Sequence, residues 1–304
     1  DIAAQQAGIY AFNTSAGAVT VDRSGDIISW GSSGIIATSS LGAVSVTNVG
    51  AIGAANDGIQ AATLGTATSV TITQTGDVYA ANGTALVASA IGGDVTITSI
   101  GDVEGAAGIS ATNSGSGAVS VSQTGTVLAD VGTGIVATSS NGSVTVVADG
   151  AVSAKLDGIY ANNGSDTAAV SVTANGGVKA AGGTAISASS FGGDVSVTAS
   201  GALAAYFDGI NASTRANGSI SIAQNGSITS DAGSGITASS LSGMISVASV
   251  GMILAQIDGI SASNLGGGAV TVAHSGGSID ALSGRGIAAI SPTGLVSVVN
   301  SGAI

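Results

Sequence analysis

Val144-Thr145-Val146 belongs to a set of twelve triplets in which two β-branched aliphatic residues flank a hydroxyl residue. Successive triplets begin 24 to 26 residues apart, and the middle residue is Ser or Thr in every copy. Because side chains alternate between the two faces of a strand, each triplet predicts a short strand with two buried aliphatic groups and one exposed hydroxyl. A repeat of this length that contains short strands is typical of a solenoid. The triplets begin at Val19, Val44, Val70, Val95, Val119, Val144, Val170, Val195, Ile220, Ile245, Val270 and Val296.

Two further strand signals flank each triplet strand. A first strand precedes it and carries the motif Gly-Ile-x-Ala or a close variant, as in Gly134-Ile135-Val136-Ala137, whose Ile and Ala are predicted to face inward. A third strand begins eight or nine residues after the start of the triplet, for example at Val152. Between the triplet strand and the third strand, every copy has a Gly six residues after the first triplet residue, as at Gly150. A corner that needs a positive φ or a close approach of two backbones explains this Gly.

These signals predict an all-β fold, a right-handed parallel β-helix (solenoid) of about 12 coils. Each coil of 23–27 residues is expected to contain three short strands joined by three corners. We expect residues 1–304 to form a single solenoid domain, and we expect that domain to be a fragment of a longer repeat array. Coils near 18 residues would be needed for a hexapeptide β-helix, and the Gly-Gly-x-Gly-x-Asp motif of calcium-binding β-rolls does not occur.

The composition restricts the classes of function. The chain has 17 acidic and 5 basic residues and a net charge of −12, which argues against electrostatic binding to nucleic acid or to anionic lipid. It has no Cys and a single His, so nothing in the composition implies a metal or another cofactor. No run of 18 apolar residues is present, and we therefore expect no membrane span in this segment.

The repeat also resembles a known family of bacterial proteins. Gly158-Ile159-Tyr160-Ala161, followed by Ala169-Val170-Ser171-Val172-Thr173 and Gly177-Val178, is similar to the passenger domains of autotransporters and of two-partner secreted exoproteins. The similarity covers nearly the whole chain, but motifs of this kind mark the architecture more than any activity. The resemblance implies a protein that is secreted or displayed on the bacterial cell surface, at the outer membrane.

Candidate catalytic residues do not form a recognisable set in the sequence. His274 lies two residues before a corner Gly, where other coils have Asn48, Gln74 or Gln123, and it is interpreted as a polar corner residue. No second His or Cys accompanies it, and no Gly-x-Ser-x-Gly motif is followed by Asp and His in the order that acyl transfer needs. The chain is therefore predicted not to be an enzyme.

Acidic residues recur at two corners of the coils, and each set has both a structural and a functional interpretation. Asp26, Asp77 and Asp102 follow the corner Gly; acids in such files could belong to a polysaccharide lyase or hydrolase, but no basic residue repeats beside them. A second set precedes the Gly-Ile of a first strand, with hydroxyl residues at the same place in several other coils. That set favours a structural ladder in which hydroxyls donate to carboxylates, with weak cation binding as the alternative. Its members are Asp57, Asp157, Asp208 and Asp258.

The outward triplet hydroxyls also suggest ice binding as an alternative, because flat files of Thr occur in ice-binding solenoids. A second regular file would be needed for that function, and it is interrupted at several positions, including Asp22 and Val147. Ser and Thr suit an exposed strand face even without a special function. Ice binding is therefore the weaker interpretation of these hydroxyls.

The outward residues of the third strands, here called the third face, show no repeat. This irregularity is typical of a recognition surface on a regular scaffold, although relaxed surface drift would give the same pattern. We therefore predict a display scaffold or adhesin that contacts a surface glycan or protein on a host or neighbouring cell. The alternatives are a filament subunit that associates with itself end to end and, third, a polysaccharide-active enzyme. The predicted partner contacts are Trp30, Tyr79, Tyr206 and Phe207.

Overall fold

A computed structural model describes all 304 residues of the chain, from Asp1 to Ile304. It consists of β-strands that pair in parallel and stack as a β-solenoid of about 12 turns, which confirms the predicted fold class. The chain forms two compact units, unit 1 (Asp1–Ala154) and unit 2 (Lys155–Ile304). The assignment of residues 1–304 to one domain stays a prediction. The protein has no helix that could cross a membrane.

Unit 1 contains strands β1 to β17, and the order third strand, first strand, triplet strand repeats along it. The bounds are β1 (Ile2–Ala4), β2 (Ile9–Asn13), β3 (Val19–Ser24), β4 (Ile27–Ser29), β5 (Ile35–Ser39), β6 (Val44–Val49), β7 (Ile52–Ala54), β8 (Ile59–Thr63), β9 (Val70–Thr75), β10 (Val78–Ala90), β11 (Val95–Ile100), β12 (Val103–Asn113), β13 (Val119–Thr124), β14 (Val127–Ala129), β15 (Ile135–Ser139), β16 (Val144–Ala148) and β17 (Val152–Ala154).

Unit 2 contains strands β18 to β34 and begins its repeat with a first strand. The bounds are β18 (Ile159–Asn163), β19 (Val170–Ala174), β20 (Val178–Ala180), β21 (Ile186–Ser190), β22 (Val195–Ala199), β23 (Leu203–Ala205), β24 (Ile210–Thr214), β25 (Ile220–Asn225), β26 (Ile228–Ser230), β27 (Ile236–Ser240), β28 (Ile245–Val250), β29 (Ile253–Ala255), β30 (Ile260–Asn264), β31 (Val270–Ser275), β32 (Ile279–Ala281), β33 (Ile287–Ile290) and β34 (Val296–Asn300).

Aliphatic side chains of neighbouring triplet strands stack inside each unit. In unit 1, Val44 lies opposite Val70 and Val46 lies opposite Ile72, and all four side chains are at most 1% exposed. Burial of each such side chain stabilises the fold by roughly 1.5–3 kcal/mol. The middle hydroxyl residue is partly or fully exposed in every triplet strand, as predicted. The alternation within the triplets therefore places the core on one side of each strand and the hydroxyl file on the other.

The triplet strand β34 departs from this burial pattern. It keeps its register with β31, and Val270 lies opposite Val296. Val296 is nevertheless 40% and Val298 46% exposed. Val19 and Val21 of β3, which likewise pair with a single triplet strand, are only 7% and 8% exposed, so the greater exposure is particular to β34.

The corner Gly after each triplet serves both purposes that the sequence suggested. Eight of these glycines, among them Gly50 and Gly125, have φ between 70° and 146°, a region that L side chains rarely adopt. Gly150 lies outside that region, but a Cβ at this position would collide with the backbone of Gly125 in the coil before it. A side chain is therefore excluded at this corner either by backbone conformation or by the coil spacing.

Two strands of unit 1 are longer than the predicted pattern. In β10 and β12, a third strand continues into the following first strand without a corner. From Val103 to Ile109 the interval is only six residues, which leaves too little chain for a turn. The two strands pair along nearly their whole length, with a register shift between Ala80 and Thr84 that absorbs the longer connection in β10.

Candidate functional site

The third face of unit 1 is a file of outward side chains that differ strongly in size. Ile28 of β4, Gly53 of β7 and Tyr79 of β10 lie in register in three successive coils. Glu104 of β12 is the next residue of the same file. A Cβ added at Gly53 would meet no atom within 4 Å, so this position is an open notch between two large side chains. Stacked coils are about 4.8 Å apart, and Ile28 and Tyr79 are two coils apart. Their Cα atoms are therefore separated by about 10 Å across the notch.

Trp30 and Tyr79 line the groove that this notch creates. The groove has a volume of ≈ 280 Å³, and its floor includes Gly53, Ala54 and Ala55. Trp30 is 64% and Tyr79 51% exposed, so both rings have large faces available to a partner. The lining is mainly apolar, and Glu104, the next residue of the file after Tyr79, is not part of it. The structure therefore brings together two of the four aromatic residues that the sequence singled out.

Hydrogen bonds fix the connection that carries Trp30. Its backbone N–H donates to the carbonyl of Ala4 in the coil before it, at 2.9 Å. Ser29, whose side chain is buried, donates its hydroxyl to the carbonyls of Gln6 (2.6 Å) and Ser32 (3.0 Å). The aromatic ring thus extends from a backbone that is held from both sides, which reduces the entropy lost when a partner binds.

Tyr206 and Phe207 belong to unit 2 and form a separate pair. Their rings are T-shaped, with centroids 4.9 Å apart, and both side chains are about half exposed. Tyr206 lines a smaller pocket of ≈ 80 Å³ with Lys179, Ala204 and Thr229. The four predicted contact residues therefore occupy two places, and unit 1 has the larger groove.

Comparison with family models, curated proteins and solved structures finds no match for this chain. The resemblance to autotransporter and two-partner passengers accordingly stays an expectation from the sequence.

The Asp residues before the first strands form hydrogen bonds between coils. In unit 1, Asp57 Oδ1 accepts the backbone N–H of Thr84 at 2.8 Å. The donor is a main-chain amide, whereas the sequence suggested a hydroxyl. Three Asp residues of unit 2 make the same contact at 2.8 Å with the corresponding residue of the next coil. These pairs are Asp157 with Thr184, Asp208 with Ser234 and Asp258 with Arg285.

Asp258 has a further partner in the side chain of Arg285. A guanidinium nitrogen lies 3.0 Å from Asp258 Oδ2, which makes this contact an ion pair. Burial disfavours the charged carboxylate, but the hydrogen bonds from the backbone and side chain of Arg285 and its positive charge outweigh that effect. They hold the pKa of Asp258 below its ordinary value.

The Asp residues after the corner Gly play a similar part. Asp77 Oδ1 accepts the N–H of Asp102 at 2.9 Å, and Asp102 Oδ1 accepts the N–H of Thr126 at 2.8 Å. The N–H of Thr126 holds the pKa of Asp102 below its ordinary value. No group of three or more His, Cys, Asp and Glu residues is arranged to hold a metal ion. Each of these carboxylates thus accepts a hydrogen bond that connects two coils at a corner.

The polar residues two positions before the corner Gly face inward, and this corrects their interpretation as corner residues. Asn48 and Gln74 are fully buried, and Asn48 Nδ2 donates to Gln74 Oε1 at 2.9 Å. Gln74 Nε2 in turn donates to the carbonyl of Gly50 at 2.8 Å. His274 occupies the same inward position in unit 2 and is 1% exposed. These positions continue the alternation of the triplet strand, with neighbouring coils providing hydrogen-bond partners for the amide side chains.

The sequence analysis did not identify a pocket in unit 2 that contains Tyr160, Phe191 and Arg215. A signal was present, because Arg215 is one of only five basic residues and each of the three lies in, or directly after, one of three successive first strands.

Proposed function

We propose that this chain is a non-catalytic adhesive scaffold, secreted or displayed at the bacterial cell surface, which binds glycans of another surface through its third face. The groove between Trp30 and Tyr79 is the observation that supports this proposal. It combines two exposed aromatic rings and a floor of small residues on one parallel sheet.

The chemistry of the groove is better suited to binding a sugar than to binding a flat protein surface. An aromatic ring offers apolar area to the C–H face of a sugar at low entropic cost. The absence of a side chain at Gly53 allows a ligand to enter between the rings. Parallel pairing on either side of the notch keeps its width fixed.

Two variants test the groove in different ways on a glycan array. Trp30→Ala combined with Tyr79→Ala removes both rings, whereas Gly53→Leu fills the notch and leaves the rings in place. Each is expected to weaken glycan binding about tenfold or more, the effect of losing a central contact. Tyr10→Ala combined with Phe12→Ala is the matched control, since these rings are also exposed but lie on strand β2. The control is expected to bind as the wild type does.

Three results would contradict the proposal. Unchanged binding in both groove variants would show that the contact lies elsewhere. A wild-type protein that binds no glycan and assembles into fibres under the electron microscope would favour the filament alternative. Release of reducing ends from a polysaccharide by the purified protein would show an enzyme.

A further inference from the structure

The pocket in unit 2 lies on the outer side of three successive first strands, β18, β21 and β24. Asn162, Ser189 and Ser213 point outward in register from these strands and form its polar floor. Asn162 Nδ2 donates to Ser189 Oγ at 2.6 Å, which fixes the amide and leaves its oxygen available. The floor therefore presents neutral donors and acceptors at the coil spacing of about 4.8 Å.

Two aromatic residues and one guanidinium form the walls of this pocket. Tyr160 is half-buried on β18, while Phe191 and Arg215 follow the ends of β21 and β24. Phe191 and Arg215 lie next to each other in adjacent coils. The backbone N–H of Arg215 donates to the carbonyl of Phe191 at 2.9 Å. Gly164 occupies the equivalent place one coil earlier and leaves that side open. The pocket is open on one side and has a volume of ≈ 360 Å³, within the range of small-molecule sites.

The charge of Arg215 is not neutralised by the protein. The ion pair of the chain joins Arg285 to Asp258, and the guanidinium of Arg215 makes neither an ion pair nor a hydrogen bond. Arg215 is exposed at the edge of the pocket, so its guanidinium is accessible to an acidic ligand. Its planar fork of donors matches a carboxylate in two parallel hydrogen bonds.

We infer that this pocket binds a carboxylate-bearing saccharide. Arg215 pairs with the carboxylate, Asn162, Ser189 and Ser213 bond to ring hydroxyls, and Phe191 and Tyr160 pack against the apolar faces of the sugar. A simple inorganic anion would use the guanidinium but neither the hydroxyl file nor the rings. The inference is independent of the Trp30–Tyr79 groove, because it concerns different residues on a different face of the coils.

Titration calorimetry with two acidic saccharides and their neutral counterparts tests this inference. The probes are tetragalacturonate and its carboxyl-reduced tetramer, and 3′-sialyllactose and lactose. At least one acidic probe is expected to bind at least about tenfold more tightly than its neutral counterpart. Arg215→Gln should abolish that difference, since a hydrogen-bonded charge pair contributes about this much. Phe191→Ala should weaken the same probe without restoring binding of the neutral one.

Lys155→Gln is the matched control, because it removes one exposed positive charge from the same unit but lies outside the pocket. Circular dichroism checks that each variant keeps the wild-type fold. The inference is overturned if neither acidic probe binds the wild type, if neutral and acidic probes bind equally, or if Lys155→Gln loses as much affinity as Arg215→Gln. It is also overturned if inorganic phosphate competes as strongly as the saccharide. Loss of binding in the Trp30/Tyr79 double variant would instead assign the acidic saccharide to the groove.

Discussion

His274 shows how one residue can make the stability of a coil depend on pH. It lies inside unit 2, in register with Ser249 and Asn300, and both of its ring nitrogens are buried without a hydrogen-bond partner. Burial lowers its pKa, and the nearby backbone of Gly277 only partly offsets this effect. The folded protein therefore favours the neutral imidazole.

We predict that the free energy of unfolding falls as the pH drops below about 6.5, the ordinary pKa of His. In that range the unfolded chain binds a proton that the folded chain resists, so the slope is positive with pH and at most about 1.4 kcal/mol per pH unit. His274→Gln should remove the dependence between pH 5 and 7, since glutamine is accommodated at the equivalent inward position of Gln224. Urea unfolding at several pH values measures this, and an unchanged slope in the variant would refute it.

At the scale of single elements, the carboxylates at the corners connect one strand to the next coil. Asp57 precedes β8, and its Oδ1 accepts the N–H of Thr84 within the longer strand β10. We predict that Asp57→Ala lowers the free energy of unfolding by about 1 kcal/mol, because a partly buried amide loses its acceptor. Asp57→Asn keeps an acceptor oxygen and should retain most of the stability. Asp130→Ala, at an exposed Asp without a side-chain hydrogen bond, is the control in chemical denaturation; equal losses in the two Ala variants would show a general charge effect.

At the scale of the whole molecule, the repeat predicts local damage from a local change. Strands pair with the equivalent strands of adjacent coils, so the free energy of each coil depends mainly on its neighbours. Val146→Asp places a carboxylate where the side chain is 0% exposed and should cost roughly 3 kcal/mol or more. Thr145→Asp, on the exposed side of the same strand, should change stability by no more than about 0.5 kcal/mol.

Limited proteolysis followed by mass spectrometry distinguishes these two variants. Cleavage in Val146→Asp is expected around residue 146, with coils at a distance from it still protected, while Thr145→Asp should match the wild type. Equal sensitivity of both variants would mean that the two faces of the triplet strand had been assigned in reverse.

Much of this architecture could be predicted because the fold depends on local alternation and on a regular repeat. Val44 and Val46 face inward for the same reason as Val70 and Ile72, and parallel stacking is the arrangement that buries all of them together. The corner Gly was predictable as well, since few other residues tolerate the φ of 139° found at Gly50. The inward position of Asn48 was missed, because a polar side chain before a Gly resembles a turn and only the stacked Gln74 reveals its partner.

The sequence by itself determined which side chains enter the core, where the corners lie and that the third face is irregular. Those properties follow from the period of two within a strand and from the repeat length, and neither requires knowledge of distant contacts. The tertiary structure decided that Trp30 shares a groove with Tyr79 and that Arg215 shares a pocket with Tyr160. Such meetings depend on the register of successive coils and on the small residues between the larger ones, so the sites exist only once the coils are stacked.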